Sequence, residues 1–97
     1  MYRAGILSAA SADIQEAVSW YNEEQPGRRF IRFVRAKVLR ILRNPQIYVI
    51  RYAEVRTAIL AVFPFMIHFK IVENTKTVLI LAVLHVGRNP AMWQSRA

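Results

Sequence analysis

The chain has 97 residues, near the commonest domain size, and can bury roughly 60–65% of its unfolded surface in a single core. It has no cysteine, which excludes disulfides and cysteine-based zinc sites and is compatible with a cytosolic compartment. Fourteen Lys and Arg against six Asp and Glu give a net charge of +8, an excess that favours a polyanionic partner: nucleic acid, or an acidic protein.

The first residues, MYRAGILSAASADIQ, lack the long apolar stretch of a secretory signal. The longest apolar run, Ala58 to Ile67, is ten residues with a proline inside, too short to span a bilayer. A soluble chain with no membrane partner is expected. Tyr2 to Leu7 reads as a short strand. Ser8 or Ser11 is expected to cap the helix that follows, with Asp13 and Glu16 suiting its positive N-terminus. Ile14, Ala17, Val18 and Tyr21 keep helical spacing, and Pro26-Gly27 is expected to break the helix.

A second helix is predicted from about Arg28 to Arg43, stopped at Asn44 because Pro45 disfavours helical geometry in the residue before it. Phe30, Ile31, Phe33, Val34, Val38, Ile41 and Leu42 share one face. Arg28, Arg29, Arg32, Arg35, Arg40 and Arg43 fall on an opposite arc roughly 140° wide, where Leu39 interrupts them. The two helices form an antiparallel hairpin with a basic outer face. Glu23 and Glu24 are placed to offset the arginines that oppose the helix dipole.

Beyond Pro45 the period changes. Gln46 to Ala53 is a connection with a strand-like core, IYVI. Glu54–Leu60, Phe63–Val72 and Lys76–His85 read as strands. The polar tip Glu73-Asn74-Thr75-Lys76 makes the last two a hairpin. A turn at Asn74-Thr75 would pair His68 near Leu81 and His85 near Pro64. Val78 to Leu84 is apolar on both faces, as in a central strand. The expected fold is α+β in one domain, residues 1–97: an N-terminal helical hairpin packed on a mostly antiparallel sheet.

Few residues can carry chemistry. On that register the two histidines lie four rungs apart, no cysteine or carboxylate pair completes a metal site, and His68 reads as a half-exposed strand residue. No glycine-rich phosphate loop, nucleophile elbow or glycosidase carboxylate pair is present, so neither metal nor cofactor is implied. One chemistry survives: metal-free RNA cleavage, for which Arg56, Arg88, His85 and Glu54 could supply the cation, acid and base. The structural alternatives are strand-edge cations for the arginines and a hydrogen-bonded strand end for His85. Trp93 either folds back onto the sheet or presents a docking ring.

Four segments, in order, resemble the RelE/ParE superfamily of toxins from type II toxin–antitoxin modules: ADIQEAVSWYNEEQPG, FIRFVRAKVLRILRNPQIY, VRTAILAVFPFMIHFKI and ILAVLHVGRNPAMW. The resemblance covers almost the whole chain. It implies a helical hairpin on an antiparallel sheet, a bacterial cytoplasmic location, and a hetero-oligomer with a cognate acidic antitoxin. One branch of the superfamily cleaves messenger RNA on the ribosome. The other, ParE-like, poisons DNA gyrase without being a nuclease. Where RNA-cleaving members often carry an arginine, this chain reads Val-Phe-Pro-Phe-Met-Ile, and no tyrosine follows Tyr52. The ParE-like branch is therefore the closer. On that reading Arg56, His85, Arg88 and Trp93 form or border a contact surface, and Arg32 and Arg35 belong to its electrostatic support. The alternative target, ribosome and mRNA, would make Arg56, His85, Arg88 and Glu54 the catalytic candidates.

Overall fold

The computed structural model describes residues 1–21 and 25–88; Glu23, Glu24 and Trp93 lie outside them. Strand β1 (Arg3–Ile6) leads into helix α1 (Ser8–Trp20), which is followed by helix α2 (Gln25–Arg43). A 3₁₀ turn at Pro45–Ile47 precedes β2 (Ile50–Tyr52), β3 (Val55–Ile59), β4 (Phe65–Val72) and β5 (Thr77–His85). The sheet order is β1-β5-β4-β3-β2. Three pairings are antiparallel, and β1 runs parallel to β5, as a strand–helix–helix route back to the sheet permits. The expected helical hairpin on a mostly antiparallel sheet is what forms.

Both helices pack on one face of the sheet. Phe30, Val34, Ile41 and Leu42 of α2 are buried against Phe65, Ile67, Phe69, Val78, Ile80 and Val83, while the arginines of the opposite arc remain exposed. Four rings lock the hairpin down. Phe30 lies 5.0 Å from Phe65 and 5.3 Å from Phe63, centroid to centroid, and Tyr21 lies 5.7 Å from Phe30 and 5.0 Å from Phe63. Aromatic pairs of this kind, here three edge-to-face and one stacked, add about 0.5–1.5 kcal/mol each beyond the area they bury.

The β4–β5 hairpin follows the expected register from its tip, Val72 opposite Thr77, as far as Phe69 opposite Ile80. Lys76 closes that tip with φ 52°. Beyond Phe69, His68 pairs with Ala82 and Phe65 with His85, one residue off expectation. The cause is a bulge that leaves Leu81 as an extra residue in β5. It exchanges the faces of the strand. Ile80 and Val83 both point to the helices, whereas Ala82 and Leu84 join Tyr52 on the other face.

β1 ends at Ile6, with Leu7 N–H donating to Ile80 C=O at 3.1 Å, so β5 continues without a strand neighbour on that side. Helix α1 takes over: Val83 N–H donates to Asp13 Oδ2 at 3.0 Å. A second tie joins the chain's start to the hairpin tip. The Glu73 carboxylate accepts from Tyr2 Oη (2.9 Å), Gln46 Nε2 (2.9 Å) and Lys76 Nζ (3.1 Å).

Several expectations are corrected. Neither Ser8 nor Ser11 caps α1; Leu7 occupies the N-cap without a side-chain bond, and Ser8 is already helical. The first turn of α1 holds no acidic residue, and Asp13 serves β5 instead. Pro26-Gly27 does not end a helix but sits in the first turn of α2, where a missing N–H costs nothing. The segment IYVI is only marginally strand. Pro45 starts a 3₁₀ turn, and β2 covers Ile50–Tyr52. His68 is fully buried rather than half-exposed, its Nδ1 2.9 Å from Tyr52 Oη.

Two outcomes are expected. Asp13→Ala strands the Val83 N–H and should lower unfolding stability by about 1–3 kcal/mol, with Asp13→Asn recovering most of it; urea melts at neutral pH measure both. Tyr2 and Lys76, in that order of effect, hold the Glu73 carboxyl below its ordinary value of 4.5. A depressed carboxyl stabilises the fold above the unfolded value, and that contribution disappears as pH falls through the folded one. Glu73→Gln should therefore show a shallower loss of stability than the wild type as pH falls below about 4.5.

Candidate functional site

β5 ends at His85, and the chain turns there. Arg88 N–H donates to His85 C=O at 3.0 Å, and Gly87 N–H donates to His85 Nδ1 at 2.9 Å. With Nδ1 as acceptor, the neutral ring carries its proton on Nε2. The ring also stands edge-on to Phe65, 5.5 Å between centroids, which places it on the helix side of the sheet. Arg88 Nη2 reaches Glu16 Oε1 on α1 at 3.1 Å. An exposed pair of this kind contributes about 0–1 kcal/mol, so it holds the turn in position more than it holds the fold together.

The turn and α1 enclose a cleft of about 320 Å³ lined by Asp13, Glu16, Trp20, Phe65, His85 and Arg88. Trp20, the last residue of α1, is 82% exposed at this cleft. The site offers a large indole, an imidazole on an aromatic floor, a cation paired with the Glu16 carboxylate, and a second carboxylate, Asp13, bonded to the Val83 N–H. These are the elements of a partner contact, in which indole and guanidinium groups carry much of the binding energy. Trp20 was not singled out from the sequence, because its helical position reads as one more amphipathic residue until its exposure is known.

The sequence candidates do not converge. His85 and Arg88 share the cleft. Arg56 lies on β3 opposite Phe69, whereas His85 lies opposite Phe65 on the other flank of β4. Four residues along β4 and two strand spacings put their backbones roughly 16 Å apart. The Arg56 guanidinium is engaged at its own end of the sheet, donating to Gln46 C=O at 2.9 Å and Tyr48 C=O at 2.6 Å. Glu54 is exposed in the two-residue β2–β3 turn, where Ala53 and Glu54 have φ of 40° and 67°. His68 and His85 occupy opposite faces of the sheet. On the face away from the helices, Arg51 Nε donates to Thr57 Oγ1 at 2.8 Å beside the Tyr52–His68 pair. That grouping was missed in the sequence because it depends on the β2–β3 and β3–β4 registers. Among the described residues no cluster of three or more His, Asp or Glu could hold a metal ion.

Arg32 and Arg35 lie apart from the cleft on the exposed arc of α2. The other flank of that helix borders an apolar groove of about 310 Å³, lined by Ile6, Ile14, Ile31, Val38, Leu39 and Arg35 among others. Ile6 and Leu39 are about half exposed there.

The fold has solved counterparts. The structure resembles the chromosomal ParDE toxin–antitoxin system of P. aeruginosa with a TM-score of 0.71 at 18% identity, covering 88% of this chain and 96% of that one. A chain of the intact E. coli RelBE toxin–antitoxin complex matches with a TM-score of 0.67 at 11% identity, covering 91% and 100%. A chain of the M. tuberculosis RelBE2 toxin–antitoxin complex matches with 0.63 at 20%, covering 87% and 96%. Comparison with curated proteins gives no match. The sequence model of the ParE toxin of type II toxin–antitoxin systems, parDE, matches residues 6–90. That match takes in every described element after β1 together with the last residue of β1, Ile6, and the chain belongs to the ParE toxin family of type II toxin–antitoxin systems.

Proposed function

We propose that this toxin acts by binding rather than by cutting: it inhibits DNA gyrase in the bacterial cytoplasm and is neutralised by a cognate acidic antitoxin. The observation that carries the reading is the dispersal of the polar residues. Arg56 is committed to two backbone carbonyls, His85 Nδ1 to Gly87, and Arg88 to Glu16. An acid, a base and a phosphate-steadying cation would have to sit within hydrogen-bonding reach of one scissile group, and this set does not. What His85, Arg88 and Trp20 form together is a preorganised contact surface. Trp93, which follows Arg88 by five residues in the sequence, is assigned to the same surface, with Arg56 at its far border.

The antitoxin is assigned to the groove between β1 and α2. β1 is an edge strand of four residues, and the neighbouring groove is apolar with Arg35 at its rim. An amphipathic acidic segment suits both features, and a hetero-oligomer then covers apolar surface that the lone chain leaves in water.

Pulse labelling of DNA and protein synthesis after induction without antitoxin tests the target. DNA synthesis is expected to fall first while translation continues. If translation falls first, the ribosome-dependent endoribonuclease replaces the gyrase inhibitor. Trp20→Ala and Arg88→Ala are each expected to abolish growth arrest while leaving the thermal melt and antitoxin binding intact. Ile31→Glu, which puts a carboxylate in the groove, is expected to leave growth arrest intact and to abolish rescue by the antitoxin.

A further inference from the structure

The cleft and the groove leave one large feature unused. Arg28, Arg29, Arg32, Arg35, Arg40 and Arg43 are all exposed along α2. Among the described residues the ion pairs involve Lys76 and Arg88, and none of the six arginines has a carboxylate partner. Three of them stand in the first half of the helix near its positive end, where cations oppose the dipole. Such an array lowers stability by self-repulsion and is relieved by a polyanion. We propose that the arginine face of α2 grips the phosphate backbones of duplex DNA directly, without base-specific contact and without need of gyrase.

The chemistry of the face selects among polyanions. Arg28, Arg29, Arg32 and Arg35 form one group and Arg40 and Arg43 a second, their centres roughly 16 Å apart at 1.5 Å per residue. That spacing, with side chains free to reach inward or outward, matches two phosphate rows flanking a B-form major groove about 12 Å wide. A-form RNA offers a deep, narrow major groove instead. Single strands are held by bases stacking on exposed aromatic rings, and this arc presents none. Phe33, at its border, is half-buried with Arg29 Cζ 5.9 Å from its ring centroid. Between Arg28 and Arg43 the helix carries no Asn, Gln, Ser or Thr to read base edges, which leaves the sequence-independent backbone as the target. An acidic protein segment seeks apolar contact as well, and that lies round the helix in the groove.

The inference is independent of the gyrase reading, and its test contains no gyrase. The full chain, made by cell-free synthesis, is titrated by fluorescence anisotropy against a labelled mixed-sequence duplex of about two helical turns, between about 50 and 200 mM salt. Arg32→Gln/Arg35→Gln is compared with Arg3→Gln/Lys70→Gln, which removes the same net charge away from α2. Exposed arginine-to-glutamine changes leave the fold intact, checked by circular dichroism and thermal melting. The wild type is expected to bind with a salt slope that Arg32→Gln/Arg35→Gln makes shallower by about 1.8, two phosphates at about 0.9 each. The off-helix pair is expected to keep the wild-type slope. Three results overturn the proposal: no binding at the lowest salt, equal slopes for the two double variants, or single-stranded RNA of the same length binding as tightly as the duplex.

Discussion

The single extra residue in β5 decides which face the last third of that strand, and His85 at its end, presents. Without the bulge at Leu81, strict alternation from Val78 and Ile80 would carry Val83 and His85 to the face away from the helices. With it, Val83 enters the main core and His85 lies against Phe65 beside α1. The bulge also turns the Val83 N–H towards the open edge of β5, where Asp13 receives it. The cleft exists because β5 outlasts β1 and a helix takes the place of the missing strand.

That same residue marks the limit of what could be read from the chain. The helical hairpin was legible because α2 separates arginine from apolar residues over its full length, and Asn44-Pro45 announces its end. The hairpin register was legible from the polar tip to Phe69. A strand that is apolar on both faces gives no alternation by which an inserted residue could be noticed, so the shift beyond it was invisible. His85 and Arg88 were picked out as the first polar side chains after a long apolar run. Glu16 and Asp13 were not, because their partners lie about seventy residues away in β5 and the turn after it, and Trp20 was not, because the helical pattern does not show its exposure. His68 was misjudged for a related reason: it lies between β3 and β5, and its partner Tyr52 reaches it only after the β2–β3 turn is made.

The surface has an unusual division. One flank of α2 is apolar and exposed, and the other is crowded with like charge. Neither arrangement favours a lone chain in water, since the first invites association and the second repels itself. Both are accommodated because the buried side of the hairpin is strongly held by the Tyr21, Phe30, Phe63 and Phe65 rings. Stability concentrated on one side of the helix leaves the other two sides free to be set by partners.

The positions of the cations carry the last step. Arg56 and Arg88 sit at opposite ends of the sheet, each tied to its own end by oxygens of the protein itself. Catalysis on a phosphodiester concentrates charge at one point, because stabilisation of a developing oxyanion falls off steeply with misplacement. Recognition of an extended surface distributes charge, because a long-range field steers approach and fixes orientation without meeting at one atom. Six arginines along α2, one at each end of the sheet, and an exposed indole at the cleft follow the second pattern. On the proposed reading, contact area is this toxin's means of action, and a partner that covers the area silences it.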